Sequence, residues 1–113
     1  MTNMQLLNKT IQSLGILKRY KGYKQLMMSV ELALDDEERL MYITKNIYNP
    51  VADMCCCNRH NIERNIRTVA EHAWENHSER LTEIAGYDIV ATPSVSELIS
   101  ILVTYVERNS TDN

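Results

Sequence analysis

The run Asn49-Pro50-Val51-Ala52-Asp53-Met54-Cys55-Cys56-Cys57-Asn58, followed by Ile62-Glu63-Arg64-Asn65-Ile66-Arg67, decides how the chain is read. Asn49 before Pro50 is a helix-start signal: a capping side chain, then a proline whose missing N–H costs nothing at the first helical position. Val51, Ala52, Met54 and Cys55 give a short helix. Cys56-Cys57-Asn58 reads as a turn, with Asn58 capping a longer helix to about Asn76. At about 100° per residue, Ile62, Ile66, Val69, Ala70 and Ala73 share one face, with Trp74 at its margin. His60, Arg64, Arg67, Thr68 and Glu71 fall opposite. The stretch of about 49–76 is therefore expected to form a helix-turn-helix that presents the helix 58–76.

The flanking segments read as the packing that holds this helix. Met4, Leu7, Ile11 and Leu14 recur at helical spacing, and Gly15 sits where a left-handed cap would end that helix. The basic cluster Lys18 to Lys24 reads as a connector, with Gly22 just before a second helix. Tyr23, Leu26, Met27, Val30 and Leu34 form that helix's stripe. Asp35, with Glu38 three residues on, is expected to cap a third helix through Leu40, Ile43 and Ile47 to Tyr48. After Asn76 a short helix spans about 79–85, with Leu81 and Ile84 inward and Gly86 as its stop. Tyr87 to Val90 reads as a brief extended piece. Ser94-Val95-Ser96-Glu97 is a capping box for a last helix with Val95, Leu98, Ile99, Leu102, Val103 and Val106 inward. The tail from Asn109 to Asn113 is polar and expected to fray. The fold class is all-α: a compact bundle of about six helices in one domain, 1–113.

A chain of 113 residues can bury a core without metals or disulfides, and its 44% hydrophobic content argues against disorder. The formal net charge is −3, so any nucleic-acid binding must rest on a local basic face rather than on the total. Cys55, Cys56 and Cys57 are adjacent, which suits a reducing cytoplasm and not a spaced disulfide framework. No apolar stretch approaches the roughly 20 residues of a membrane span, and Met1 to Thr10 lacks a signal-peptide core. A cytoplasmic chain, nucleoid-associated when on DNA, is expected.

No Gly-rich phosphate loop, nucleophile motif or isolated carboxylate pair is present, so an enzyme is not expected, nor a cofactor. The cysteines lack the second spaced pair of a structural zinc site; they read as small apolar filling, with the start of the following helix able to lower a thiol pKa. His72 and His77 are five apart and read as surface residues. The arginines carry the chemistry. Arg64 and Arg67 lie three apart on the polar face, near the start of a helix that follows a turn, as in major-groove docking. The plain alternative is a solvated surface with weak pairs among Glu63, Arg67 and Glu71. Arg59 and His60, at the helix start, could take a phosphate. Asn61 and Thr68 are further contact candidates, with Lys21 approaching the backbone.

At these residues the chain resembles a known family: the C-terminal DNA-binding effector domain of the sporulation-initiation response regulator, stage-zero sporulation protein A. The resemblance runs from Leu14-Gly15-Ile16 to Val106. It is carried by Lys21-Gly22-Tyr23, Ile43-Thr44-Lys45, Tyr48, Ile62-Glu63-Arg64, Ile66-Arg67, Ala73-Trp74, Gly86-Tyr87, and Pro93 with Ser96-Glu97. It implies a six-helix all-α domain that binds promoter boxes on double-stranded DNA, arranged in tandem, with base readers on Glu63, Arg64 and Arg67. A stand-alone effector domain without its receiver is expected. Where the family is lysine-rich in the first motif helix, this chain has Asp53 and Met54. The family's Thr-containing turn becomes Cys57-Asn58, and the segment after Gly86-Tyr87 is shortened to Val90-Ala91-Thr92, without lysines. Fewer phosphate contacts imply weaker, less salt-dependent binding.

The expected function is therefore a sequence-specific transcriptional regulator linked to sporulation, binding as a homodimer or tandem dimer. The alternative is an interaction module that pairs with a full-length paralogous regulator, with Ile99, Val103 and Val106 offering part of an interface.

Overall fold

In the computed structural model, which describes residues 2–110, the first helix opens on a reciprocal cap. The Gln5 N–H donates to Thr2 Oγ1 at 3.1 Å and the Thr2 N–H to Gln5 Oε1 at 2.9 Å. This box starts α1 (Asn3–Ser13), whose Leu7 and Ile11 are fully buried. Gly15 follows at φ +77°. A Cβ there would also lie 2.4 Å from His77 Nε2, so both conformation and space require glycine.

Helix α2 (Lys21–Asp35) starts earlier than expected: Gly22 lies inside its first turn, and Lys21 and Lys24 are helical rather than part of a connector. The reason is a close crossing. A Cβ on Gly22 would come 2.5 Å from the Asn65 carbonyl oxygen and 2.8 Å from Val69 Cγ1. Tyr23, Leu26, Val30 and Ala33 are buried; Met27 and Leu34 are only partly covered.

The expected third helix is irregular. Its cap is Asp36, not Asp35: Asp36 Oδ1 accepts from the Glu38 N–H at 3.1 Å. A 3-10 segment (Glu37–Tyr42) leads into a π-helical turn (Thr44–Tyr48), which continues directly into α3 (Asn49–Met54). Asn49 is therefore no N-cap: its backbone is already helical at φ −64°, ψ −49°, and no side-chain cap bond opens α3. Pro50 has no N–H to give and its ring crowds the carbonyl four residues back. The helix widens instead, with the Asn49 N–H reaching the Thr44 carbonyl. The freed Asn46 carbonyl accepts from Arg39 Nη1 at 2.7 Å. Burial drives the continuity: Ile47, Tyr48, Val51 and Ala52 are all buried, at the spacing of one helical stripe.

Helix α4 (Arg59–Ala85) joins the two helices expected on either side of Asn76, with one non-helical residue between them, His77 at φ −142°, ψ 39°. Gly86 ends it in the left-handed region at φ +79°. Residues 87–94 form a loop, and no strand occurs among the described residues, so the expected extended piece pairs with nothing. Helix α5 (Val95–Asn109) is capped by Ser94, whose Oγ accepts from the Glu97 N–H at 3.0 Å. The box is only half made, because Glu97 Oε2 accepts from the Tyr87 hydroxyl at 3.0 Å. Asn109 closes this helix instead of fraying; the rest of the expected tail beyond Ser110 lies outside the described residues.

Helix α5 packs on α1, α2 and α4. Ile99, Val103 and Val106 are buried in the shared core, so they offer no interface. The architecture is all-helical. Counting the two arms of α4 separately, and the 3-10, π and α3 run as one, the described residues form six helical rods.

Candidate nucleic-acid interface

The site is built on the turn between α3 and α4. The Cys57 N–H donates to the Ala52 carbonyl at 3.0 Å and the Cys56 N–H to the Asp53 carbonyl at 3.3 Å. This is a Schellman closure, and it places Cys56 in the left-handed region at φ +55°. Glycine is the usual residue there. Cys56 is exposed and fills nothing, whereas Cys55 and Cys57 pack against the core as small apolar groups. Burial is the main cause pushing the Cys55 thiol above its usual range, with Cys57 adding to it and Lys24 opposing. The start of the next helix does not acidify the Cys55 thiol. Its Sγ lies 3.7 Å from Met28 Sδ. Among the described residues no group of three or more His, Cys, Asp or Glu is placed to hold a metal ion.

Asn58 caps α4 as its sequence indicates, with Oδ1 accepting from the Asn61 N–H at 3.0 Å. The first turn of α4 carries Arg59 and His60 and no carboxylate, an arrangement that leaves the positive end of the helix dipole uncompensated. Downstream the faces separate as the periodicity requires. Ile62, Ile66, Val69, Ala70 and Ala73 are buried. Arg59, His60, Arg64, Arg67, Thr68 and Glu71 are exposed, and Asn61 and Glu63 are half-buried.

The polar side chains hold one another. Arg64 Nη2 donates to Asn61 Oδ1 at 2.8 Å, and Thr68 Oγ1 donates to the Arg64 carbonyl at 3.0 Å. Arg67 is ion-paired with Glu63 one turn back. Nearby, burial pushes the Tyr48 phenol above its usual range while the Arg67 charge pulls it down. Tyr48, Glu63, Arg67 and Glu71 line a cleft of about 440 Å³ whose other wall is Thr92 to Ser96, at the start of α5. That wall was not readable from the sequence. The Ser94 cap announces a helix start but not its proximity to Arg67.

Lys21, the first residue of α2, is exposed and shares a groove of about 310 Å³ with Tyr20, Asn65, Thr68 and His72. The crossing at Gly22 brings it there, and Asn65 Nδ2 pins the crossing by donating to Gln25 Oε1 at 3.0 Å. Arg59 and His60 line a separate groove at the turn, with Asp53 and Asn58. The base-reading and backbone candidates thus all lie on α4 or beside it. His72 and His77 are half-buried, not surface residues. Their rings lie 6.3 Å apart, both against Gly15, and His72 stacks edge-on to Tyr20 at 5.7 Å. The non-helical backbone at His77 is what breaks the straight-helix spacing. No described helix is long and apolar enough to cross a membrane.

The family described as "Sporulation initiation factor Spo0A C terminal" matches residues 7–106, from the first buried leucine of α1 to the last buried valine of α5. The match contains the turn, the arginine-bearing face of α4 and the Gly22 crossing that sets Lys21 beside it. The chain therefore belongs to the family of the Spo0A C-terminal domain, a DNA-binding effector domain of sporulation response regulators.

Proposed function

We propose that this chain is a sequence-specific regulator of transcription. Residues 49–76 act as its helix-turn-helix, and the first arm of α4 lies in the major groove of double-stranded DNA. One observation carries the reading: Arg64 and Arg67 are exposed on the face of α4 opposite its buried stripe, just past a turn and a bare, cationic helix start. Each arginine can contact the O6 and N7 acceptors of a guanine, the commonest specific contact in the major groove. Glu63 stands where it can accept from a cytosine amino group or steer Arg67. Arg59 and His60 at the helix start, Thr68 along it, and Lys21 from α2 supply backbone contacts, which position the helix without reading sequence.

The net charge of −3 and the exposed Asp53 keep the electrostatic share of binding modest. The test is selection of binding sites from random duplexes at fixed salt, using the intact chain. Enrichment of a short box containing guanines is expected. Retention of duplexes with no common sequence would overturn the reading.

A further inference from the structure

Reading a guanine requires a guanidinium held in the right plane, and arginine is among the most mobile side chains. On α4 the aim of Arg64 is set by a short relay. The Asn58 side chain fixes the backbone N–H of Asn61 at 3.0 Å. Asn61 Oδ1 then accepts from Arg64 Nη2 at 2.8 Å. The Arg64 carbonyl is in turn held by Thr68 Oγ1 at 3.0 Å. Asn61 is half-buried and spends its acceptor on Arg64, one turn ahead of it, while Arg64 itself is exposed. A guanidinium has five N–H donors, so one donated to Asn61 still leaves a pair for a base.

We infer that Asn61 is a positioning residue for base recognition: its amide oxygen orients the Arg64 guanidinium before DNA arrives, and so sets the discrimination at the base Arg64 reads. This rests on the proposed role of Arg64 and assigns Asn61 a different task from a phosphate contact. A phosphate contact would use its Nδ2 donor; positioning uses its Oδ1 acceptor. Ordering a rotamer-rich side chain before binding is worth about 3- to 10-fold in affinity, and here that factor falls on the matched base alone.

The experiment compares the parent, Asn61→Ala, Asn61→Asp and Arg64→Ala on a selected box and on the same box with each guanine replaced. Asn61→Ala keeps the backbone N–H that Asn58 caps, and circular dichroism checks its helix content. It should lower discrimination at a single guanine by about 3- to 10-fold, with the salt dependence unchanged. Asn61→Asp retains the acceptor and should keep the discrimination while weakening matched and replaced duplexes alike. If Asn61→Ala weakens matched and replaced duplexes equally, Asn61 is a phosphate contact and the inference is wrong. It is wrong too if Asn61→Asp loses as much discrimination as Asn61→Ala. If Arg64→Ala keeps full discrimination at every guanine, base reading by Arg64 fails and takes the inference with it.

Discussion

Arg67 is tied to Glu63, one helical turn N-terminal to it, by an ion pair in which Arg67 Nη2 donates to both carboxylate oxygens. The pair neutralises one of the two candidate base-reading arginines that the exposed face of α4 would offer to DNA. Its side chains are 54% and 31% exposed, so solvent screens it and its contribution to folding is small.

Glu63→Ala should therefore change stability by no more than about 0.5 kcal/mol. Its effect should appear on DNA. Freeing Arg67 should tighten binding to unrelated duplex and steepen the salt dependence by up to about 0.9 in log–log slope, the value for one more phosphate neutralised. Fluorescence anisotropy across a salt series measures both. An unchanged slope would mean that Arg67 already reaches the backbone despite the pair.

The turn stores strain that can be removed. Cys56 holds φ +55° in a Schellman closure, where a Cβ crowds the backbone at a cost of roughly 1–2 kcal/mol. Cys56→Gly removes that clash but adds freedom to the unfolded chain. A net gain of about 1 kcal/mol is expected in urea unfolding, with the recognition face undisturbed because Cys56 is exposed. A loss of stability would show that the thiol makes contacts its exposure does not suggest.

Two glutamates meet where the 3-10 segment begins and α5 ends. Hydrogen bonding with the Glu37 carboxyl first, then desolvation and the Glu37 charge, holds the Glu107 carboxyl above the usual glutamate range. A folded-state pKa above the unfolded one means that the folded chain binds the proton more tightly. Stability then falls as pH rises from the ordinary glutamate range, about pH 4, through the raised value. Glu107→Gln removes this penalty and should be more stable than the parent at pH 7. The advantage should disappear by about pH 3, below the ordinary glutamate value, where the parent carboxyl is protonated in both states. Urea midpoints at the two pH values give the comparison, and an equal gap at both would contradict it.

Much of this arrangement was legible in the order of residues. The Asn58 and Ser94 caps are local devices, and both form. The α5 stripe and the inward face of α4 follow from helical period alone, and their predicted residues are buried. What escaped depends on distant partners. Asn49-Pro50 carries a strong local start signal, yet Ile47, Tyr48, Val51 and Ala52 must all reach the core, so the helix passes through it. The carbonyl that Pro50 leaves free is taken by Arg39, which no local rule supplies. Glu97 completes no box because Tyr87 reaches it first. His72 and His77 converge only because the backbone breaks at His77. On the interface itself, the exposure of Arg64 and Arg67 followed from spacing. Their partners Asn61 and Glu63 are at helical neighbour distances, but only the side-chain geometry shows that those bonds are made.

The most direct measurement is the affinity of Arg64→Ala and Arg67→Ala for a selected box and for the box with its guanines replaced, at one fixed salt concentration. Base reading predicts that each variant loses about 1–3 kcal/mol on the selected box and little on the replaced one, so that discrimination collapses. Equal, small losses on both duplexes, with discrimination intact, would contradict it and leave the two arginines as a solvated helix surface.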